Sequence, residues 1–364
     1  PAFEMTKAEK QEAQKLNNKY PDGTFTKFNF LYRKRVWNTS EECYLGWERK
    51  RGLLNQFNEY ILGKSKSEFL INTIENSKEK FGQIPNIKYV ITLDSDTELC
   101  LNTGLEMIGA MAHILNRPVL NHKQDLVIDG HGLIQPRVGI SLEDIQKSYF
   151  TKLYAGSGGK DAYTNAISDI YQDNFEEGIF TGKGIYDLPV FSAVLANEIP
   201  ENTVLSHDLL EGSYLRCGLA SDIMLLDGYP SGYNSFKARL QRWIRGDWQL
   251  VQWLNSTIIN KRGEKKQNPL SILSRYKILD NLIRSLLETT IVISMIYVCV
   301  FKLLFNIKIW PIMILLIISA IFANVHFLLS CNFFTNDSIS FIFSLCINFP
   351  SWLSIISSTI HICL

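Results

Sequence analysis

The sequence predicts an α/β domain with a mostly parallel sheet over residues 1–268, an amphipathic helix over 269–285, and two or three membrane-spanning helices over 286–364. Three observations predict it. Helix-forming and extended segments alternate along the first part of the chain, the pattern of strands joined by helical crossovers. The character of the chain changes after Pro269, where long apolar stretches begin. Finally, residues 309–329 and 338–364 contain no Asp, Glu, Lys or Arg.

The elements follow in order. Residues 7–19 are charged and helical, and Pro21-Asp-Gly marks a turn. Residues 27–32 form a short aromatic strand, and 48–62 an amphipathic helix. Residues 89–93, YVITL, are apolar and β-branched, with Pro85-Asn86 before them and acidic residues after, the signature of a buried strand. Residues 126–128, 133–138 and 223–226 supply further strands. Helices over 104–115, 209–216 and 236–253 lie between them. Residues 270–287 set Arg275, Lys277, Asp280 and Arg284 among leucines and isoleucines, a pattern suited to a helix lying in a membrane interface. Residues 286–305 carry charge only at Glu288 and Lys302, and 309–329 carry none. Each run matches the roughly 20 residues that a helix needs to cross a bilayer. Residues 338–364 form a third crossing that Pro350 kinks or divides.

Composition narrows the function. The chain has 364 residues, with 37 Lys+Arg against 36 Asp+Glu and a net charge of +1, so no global basic field points to nucleic acid. Its seven cysteines are scattered and form no CxxC pair, which argues for a reducing compartment and against a disulfide framework or a zinc site. Pro1 is preceded by no initiator Met and followed by no signal peptide, and the chain stops inside an apolar run. The expectation is an internal piece of a longer protein.

Four segments carry candidate chemistry. Residues 234–253, NSFKARLQRWIRGDWQLVQW, place Arg239, Arg242 and Trp243 at i, i+3 and i+4, on one helix face. Two guanidiniums beside an indole can grip phosphate oxygens and stack on a sugar face; a surface helix with a few arginines has the same composition. Asp94 and Asp96, in DSDT, follow the strand at 89–93, at the end where open α/β sheets bind ligands. Paired carboxylates there suit Mg²⁺ or Mn²⁺ bridged to a diphosphate, and also suit a solvated turn. Asp208, in SHDLLEG, fits either a helix cap or a general base that takes a proton from an acceptor hydroxyl. His207 beside it is a further metal ligand or a neighbour. Lys50 and Arg51 open a helix, where the helix dipole does not favour cations. That placement makes sense beside an anion, and equally on a basic solvated face.

Read together, the order is a basic helix start, a DxD after a strand, a Gly-rich segment FTGKG at 180–184, an Asp before a helix, RxxRW, and then apolar spans. This order resembles the membrane-bound inverting glycosyltransferases of GT-A fold, the cellulose and hyaluronan synthase type, whose signature is DxD, a catalytic Asp and QxxRW. Here the last motif reads Arg239-Leu-Gln-Arg242-Trp243, with Arg where Gln is usual, and Lys50-Arg-Gly-Leu-Leu-Asn55 resembles the KxGxLN segment near the donor site. A closer resemblance is to the glycosyltransferase region of bacterial cyclic β-1,2-glucan synthases. It is carried by RVWN (35–38), GWERKRG (46–52), DSDT, LIQPRVGISL (133–142), FTGKGIYD (180–187), SHDLLEG, RWIRGDWQ (242–249) and LSRYKILDNLIRSL (273–286).

The resemblance implies a GT-A type, Rossmann-like domain that moves glucose from UDP-glucose onto a growing, β-1,2-linked glucan with inversion. It implies Asp208 as catalytic base; Asp94, Asp96, Arg239, Arg242, Lys50 and Arg51 at the donor phosphates; Asp94 and Asp96 on Mg²⁺ or Mn²⁺; and Trp243, Lys183 and Gly184 at the acceptor. The bacterial inner (cytoplasmic) membrane, with the catalytic domain cytoplasmic and further domains in the same full-length chain, completes that expectation. A domain of this kind opens with a uridine-holding strand, and none precedes Pro1 in this sequence. Two rival readings use the same residues. One is another membrane β-glycan synthase or a lipid glycosyltransferase. The other is a non-catalytic membrane module that binds glycan or nucleotide.

Overall fold

A computed structural model describes residues 2–21, 26–39, 41–75, 79, 86–155 and 169–305 of the chain. It has mixed α/β architecture around one five-stranded sheet. Its strands are β5 (Tyr89–Thr92), β6 (Thr97–Leu99), β9 (Leu133–Ile140), β10 (Gly184–Asp187) and β11 (Gly218–Asp227), in the order β5-β10-β9-β11-β6. Four two-stranded ladders surround it, formed by β1 (Leu31–Arg33) with β4 (Phe69–Asn72), β2 (Arg35–Asn38) with β3 (Cys43–Gly46), β7 (Val119–Leu120) with β8 (Val127–Asp129), and β12 (Thr257–Ile259) with β13 (Lys265–Gln267).

The sheet is not mostly parallel. Only β9 and β11 run parallel, with Leu225 opposite Val138; β5 with β10, β10 with β9 and β11 with β6 are antiparallel. The sequence reading missed β10, whose four residues follow a glycine-rich stretch and show no alternation. By inserting between β5 and β9, β10 turns β5 into an edge strand. Leu93, Asp94, Ser95 and Asp96 alone carry the chain from β5 at one edge to β6 at the other, so the sheet is curled and the acidic turn crosses its end.

Side-chain alternation divides the core between the two faces of the sheet. Ile134, Ile185, Ile223 and Leu225 pack on Met107 and Met111 of α3 (Thr103–Ala112). Leu133 and Tyr186, one residue out of phase, face the larger core, where Leu188, Phe191, Leu210, Tyr214 and Trp253 are fully buried. That core gathers α7 (Leu188–Leu195) and α8 (Asp208–Tyr214), with α4 (Leu142–Gln146), α5 (Tyr149–Tyr154) and α6 (Ile170–Phe175) preceding them in the chain. The earlier helices α1 (Ala2–Lys19) and α2 (Arg49–Ile61) confirm the helices expected at 7–19 and 48–62. The expected helix at 236–253 is α9 (Tyr233–Gln249), continued by a 3₁₀ turn over Leu250–Leu254.

The division expected at 285 falls inside a single helix, α10 (Ile272–Phe305). Two of its charges, Lys277 and Asp280, are buried within the protein. Lys277 is 3% exposed, with its ammonium 3.2 Å from Glu177 Oε2 and 3.1 Å from the Gly178 carbonyl, and Asp280 is buried. Burial pulls the Lys277 ammonium below its ordinary pKa against the opposing charge of Glu177. A face that packs on a domain and a face that lies on lipid have the same periodicity, and here the face carrying Lys277 and Asp280 packs on the domain. Ile272, Tyr276, Leu279, Ile283 and Leu286 form an exposed apolar stripe on the helix. Among the described residues no helix is long and apolar enough to cross a membrane. The crossings expected at 309–329 and 338–364 lie outside the described residues.

Candidate active site

A cleft of about 800 Å³ opens at the end of the sheet where the acidic turn crosses it, a size within the range of small-molecule sites. Asp94 and Asp96 project from that turn. Thr181 and Lys183 come from the loop before β10, Asp208 from the start of α8, Asp227 from the end of β11, and Arg239, Arg242 and Trp243 from α9. Motifs far apart in sequence thus meet at one opening.

Asp94 sits between two lysines. Lys50, in the first turn of α2, donates to Asp94 Oδ1 and also, at 2.7 Å, to the Gly182 carbonyl. Lys183 Nζ lies 3.3 Å from Asp94 Oδ2 and 3.0 Å from Asp227 Oδ2. Burial alone raises the Asp94 carboxyl, but the hydrogen bond and charge of Lys50, with Lys183 behind, outweigh it and hold the group below the usual carboxylate range. The unfavourable cations at the start of α2 therefore have anions to meet. Asp96 is anchored from the other side, by Arg239 at 3.3 Å and by the Gly228 N–H, which donates to its backbone carbonyl at 2.8 Å.

Asp208 faces the same opening. The N-cap of α8 is His207, not Asp208, and no side chain caps the helix. The Asp208 carboxylate packs over Gly182, where a Cβ would meet its Oδ1 at 2.9 Å; Gly182 also has φ +89°, so glycine is required twice over. The proposed base and Asp94 are thereby linked through one residue, because the Gly182 carbonyl is held by the same Lys50 ammonium that holds Asp94. Beneath Asp208, His207 Nδ1 lies 3.5 Å from Asp208 Oδ1 and 2.8 Å from Glu211 Oε1. Burial works against the imidazolium, but the Glu211 and Asp208 carboxylates outweigh it and raise the His207 pKa.

The α9 helix closes another side. Gly246 is buried, and a Cβ there would lie 2.5 Å from the Ser206 Cβ, so glycine lets α9 press against the segment that carries His207 and Asp208. Gln249 fixes the same segment by accepting from the Leu205 N–H at 2.7 Å. Arg242 lines the cleft and makes no ion pair among the described residues, which leaves its fork open to an anion. Half-buried Trp243 lines the cleft beside it.

Two expected site residues lie elsewhere. Arg51 is buried, pairs with Glu48, and donates at 3.2 Å to the carbonyls of Ile199 and Pro200. It ties the start of α2 to the segment before α8, and Arg49 lines the cleft in its stead. Gly184 opens β10 with its Cα face 2.3 Å from the Ile134 carbonyl for any added Cβ, a close sheet contact outside the cleft lining. Sequence reasoning missed Asp227, the last residue of β11. It also missed Glu211, and it placed Arg284 at a membrane flank, whereas Asn281, Arg284 and Ser285 of α10 line the cleft.

The two acidic residues fit a divalent cation by donor type. Mg²⁺ takes one or two carboxylates and completes its octahedron with water and substrate phosphates. The side chains of Asp94 and Asp96 are both more than a third exposed, and each carboxylate offers more lone pairs than its lysine or arginine contacts use. Among the described residues the one group of three or more potential ligands drawn close together is His207, Asp208 and Glu211. Its buried members already face each other as an ion pair.

No protein-family model matches this chain. Over 280 residues, 76% of its length, the chain is 41% identical to the cyclic beta-(1,2)-glucan synthase NdvB of Rhizobium meliloti (strain 1021). It covers 9% of that protein, so the similarity is to a segment of a far longer chain.

Proposed function

We propose, from this chain's similarity to a region of a cyclic beta-(1,2)-glucan synthase, that its cleft transfers glucose from UDP-glucose to a growing β-1,2-linked glucan with inversion. The observation that carries the reading is the position of Asp208. It is a carboxylate on the cleft wall, free of capping duty, facing a group of cations and the paired acids Asp94 and Asp96.

The reaction needs one base and no protein nucleophile. An acceptor hydroxyl attacks the anomeric carbon of the α-linked donor from the side opposite the diphosphate. The new C–O bond forms as the bond to phosphate breaks, UDP departs, the hydroxyl proton passes to Asp208, and the product is β-linked. Arg242 engages the diphosphate as a bidentate fork. Arg239 and Lys50 hold Asp96 and Asp94 in place, and Lys183 adds positive charge behind them. Asp94 and Asp96 would hold Mg²⁺ or Mn²⁺, which when bound neutralises the charge of the leaving group. Trp243 offers an acceptor sugar a stacking face. A GT-A type arrangement agrees with acids in the turn after β5 and a base at the start of α8. Membrane attachment agrees with the exposed apolar stripe on α10 and with the charge-free runs that follow it in the sequence. Further domains of a full-length chain agree with the small share of the relative that is matched.

The test supplies UDP-glucose and UDP-N-acetylglucosamine separately to the full-length protein and analyses the linkage of the product. A β-1,2-linked glucose polymer from UDP-glucose alone is expected. Asp208→Asn should lower its formation by about 10²–10⁴-fold, the usual cost of losing a general base, with UDP binding retained. Near-normal turnover by that variant would return Asp208 to a structural role, and product from the other donor alone would assign the site to another glycan.

A further inference from the structure

We propose that His207 and Glu211 are positioning residues for the base, a buried imidazole–carboxylate pair that orients Asp208 toward the cleft. The inference rests on Asp208 being the base and goes beyond that assignment. His207 is buried, and its Nδ1 lies between two carboxylates, 2.8 Å from Glu211 Oε1 and 3.5 Å from Asp208 Oδ1. Glu211 is 1% exposed, and its Oε2 has no hydrogen-bond partner among the described residues. Asp208, by contrast, opens onto the cleft.

A structural ion pair is complete with two groups. Here one cation serves two carboxylates, and the sealed carboxylate is the nearer. Of the two carboxylates, Asp208 is the one that lines the cleft, and so the one that an acceptor hydroxyl can reach. Before proton transfer the cluster carries one net negative charge, and after transfer it is neutral. Burial disfavours the imidazolium, but the Glu211 and Asp208 carboxylates on either side of it raise the His207 pKa. The groups packed around the pair do not replace that cation. Arg51, from α2, is engaged by Glu48 and by the carbonyls of Ile199 and Pro200. Tyr186, from β10, donates its hydroxyl to Asn58 at 2.8 Å. Lys50, across the cleft wall, is engaged by Asp94 and the Gly182 carbonyl.

The test is the pH dependence of kcat/KM for sugar transfer by the full-length protein. Wild type, His207→Gln, Glu211→Gln and the double variant are compared, with melting temperature and UDP affinity recorded for each. His207→Gln removes the charge beside the base, so the acid limb should move to higher pH while UDP affinity stays at the wild-type value. His207→Arg, which keeps a cation, should leave the limb where it is, and His207→Asn serves if the Gln variant does not fold. Glu211→Gln should lower the rate in the wild-type background and change it less in the His207→Gln background, because the imidazole sits between Glu211 and the base. A folded, UDP-binding His207→Gln protein with the wild-type acid limb overturns the proposal, as does an equal effect of Glu211→Gln in both backgrounds. Near wild-type turnover by Asp208→Asn in the same assay overturns the base assignment itself, and that outcome is read independently of the His207 profiles.

Discussion

The ammonium of Lys183 lies 3.0 Å from the Asp227 carboxylate, joining the loop before β10 to the end of β11 at the floor of the cleft. Asp227 is almost wholly buried, and its other oxygen accepts from the Thr97 hydroxyl at 2.8 Å. Because Lys183 also reaches Asp94, the same side chain that holds the floor together shapes the proposed donor site. It contacts Asp94 directly, while the acceptor role expected from the sequence remains a proposal.

Lys183→Met should therefore do two separable things. Removing one partner of a buried pair costs about 3–5 kcal/mol, which chemical denaturation will read as a loss of stability. The Asp94 carboxyl loses one of its two cations, so donor affinity should fall as well. Adding Asp227→Asn removes the stranded charge and should restore much of the stability without restoring donor affinity. If the double variant regains both, Lys183 has no part in donor binding.

Gly182→Ala tests how closely Asp208, the proposed base, and the lysine-held loop are packed. The residue has φ +89°, and its new methyl would lie 2.9 Å from Asp208 Oδ1. Left-handed backbone in a residue with a Cβ costs about 1–2 kcal/mol, and the clash displaces the carboxylate or the loop. Transfer activity should drop far more than the melting temperature does. A variant with normal turnover and a lowered melting temperature would show that Asp208 tolerates displacement, contrary to a general base that acts within hydrogen-bond reach.

Much of this site was legible in the sequence because its signals are local. The β-branched run ending in Asp94, the arginines and tryptophan at helical spacing in α9, and the basic start of α2 each declare themselves within about one helical turn or one strand. What was not legible depends on partners distant in the chain. Nothing in the four residues of β10 says that they insert antiparallel between β5 and β9, and that insertion is what undoes the parallel sheet. The basic residues of α10 carry the periodicity of an interfacial helix, and only the tertiary partner Glu177 shows that Lys277 is internal. Arg51 and Lys50 are neighbours in sequence, but helical geometry turns them apart, one toward carbonyls of the 199–200 segment and the other toward Asp94. Glu211 could have been found, since His207 and Glu211 stand at i and i+4 on one helix face.

The metal assignment is tested by removing ligand and ion separately. Asp96→Ala should weaken UDP-glucose binding, and chelation of the wild type with EDTA should produce a defect of similar size that Mg²⁺ or Mn²⁺ reverses. Losing Asp96 also releases Arg239, so Asp96→Asn, which keeps a hydrogen-bonding oxygen for the guanidinium, separates the two effects. Full activity in chelator would leave Asp94 and Asp96 as partners of Lys50, Lys183 and Arg239 alone.

Arg242 and Trp243 are adjacent, line the same cleft, and are expected to fail differently. Arg242 makes no ion pair among the described residues, so replacing it leaves no buried charge behind and should barely move the melting temperature. Lys keeps the charge but loses the planar fork that binds a phosphate through two parallel hydrogen bonds. Arg242→Lys should thus remain impaired, with the loss expressed in the donor KM and in UDP affinity. Trp243→Ala removes a stacking face, so its defect should appear in the acceptor KM while UDP affinity stays near the wild-type value. Kinetics with donor and acceptor varied independently will separate the two. If both substitutions raise the same KM, the division of the cleft into a phosphate side and a sugar side is wrong, even if both residues prove essential.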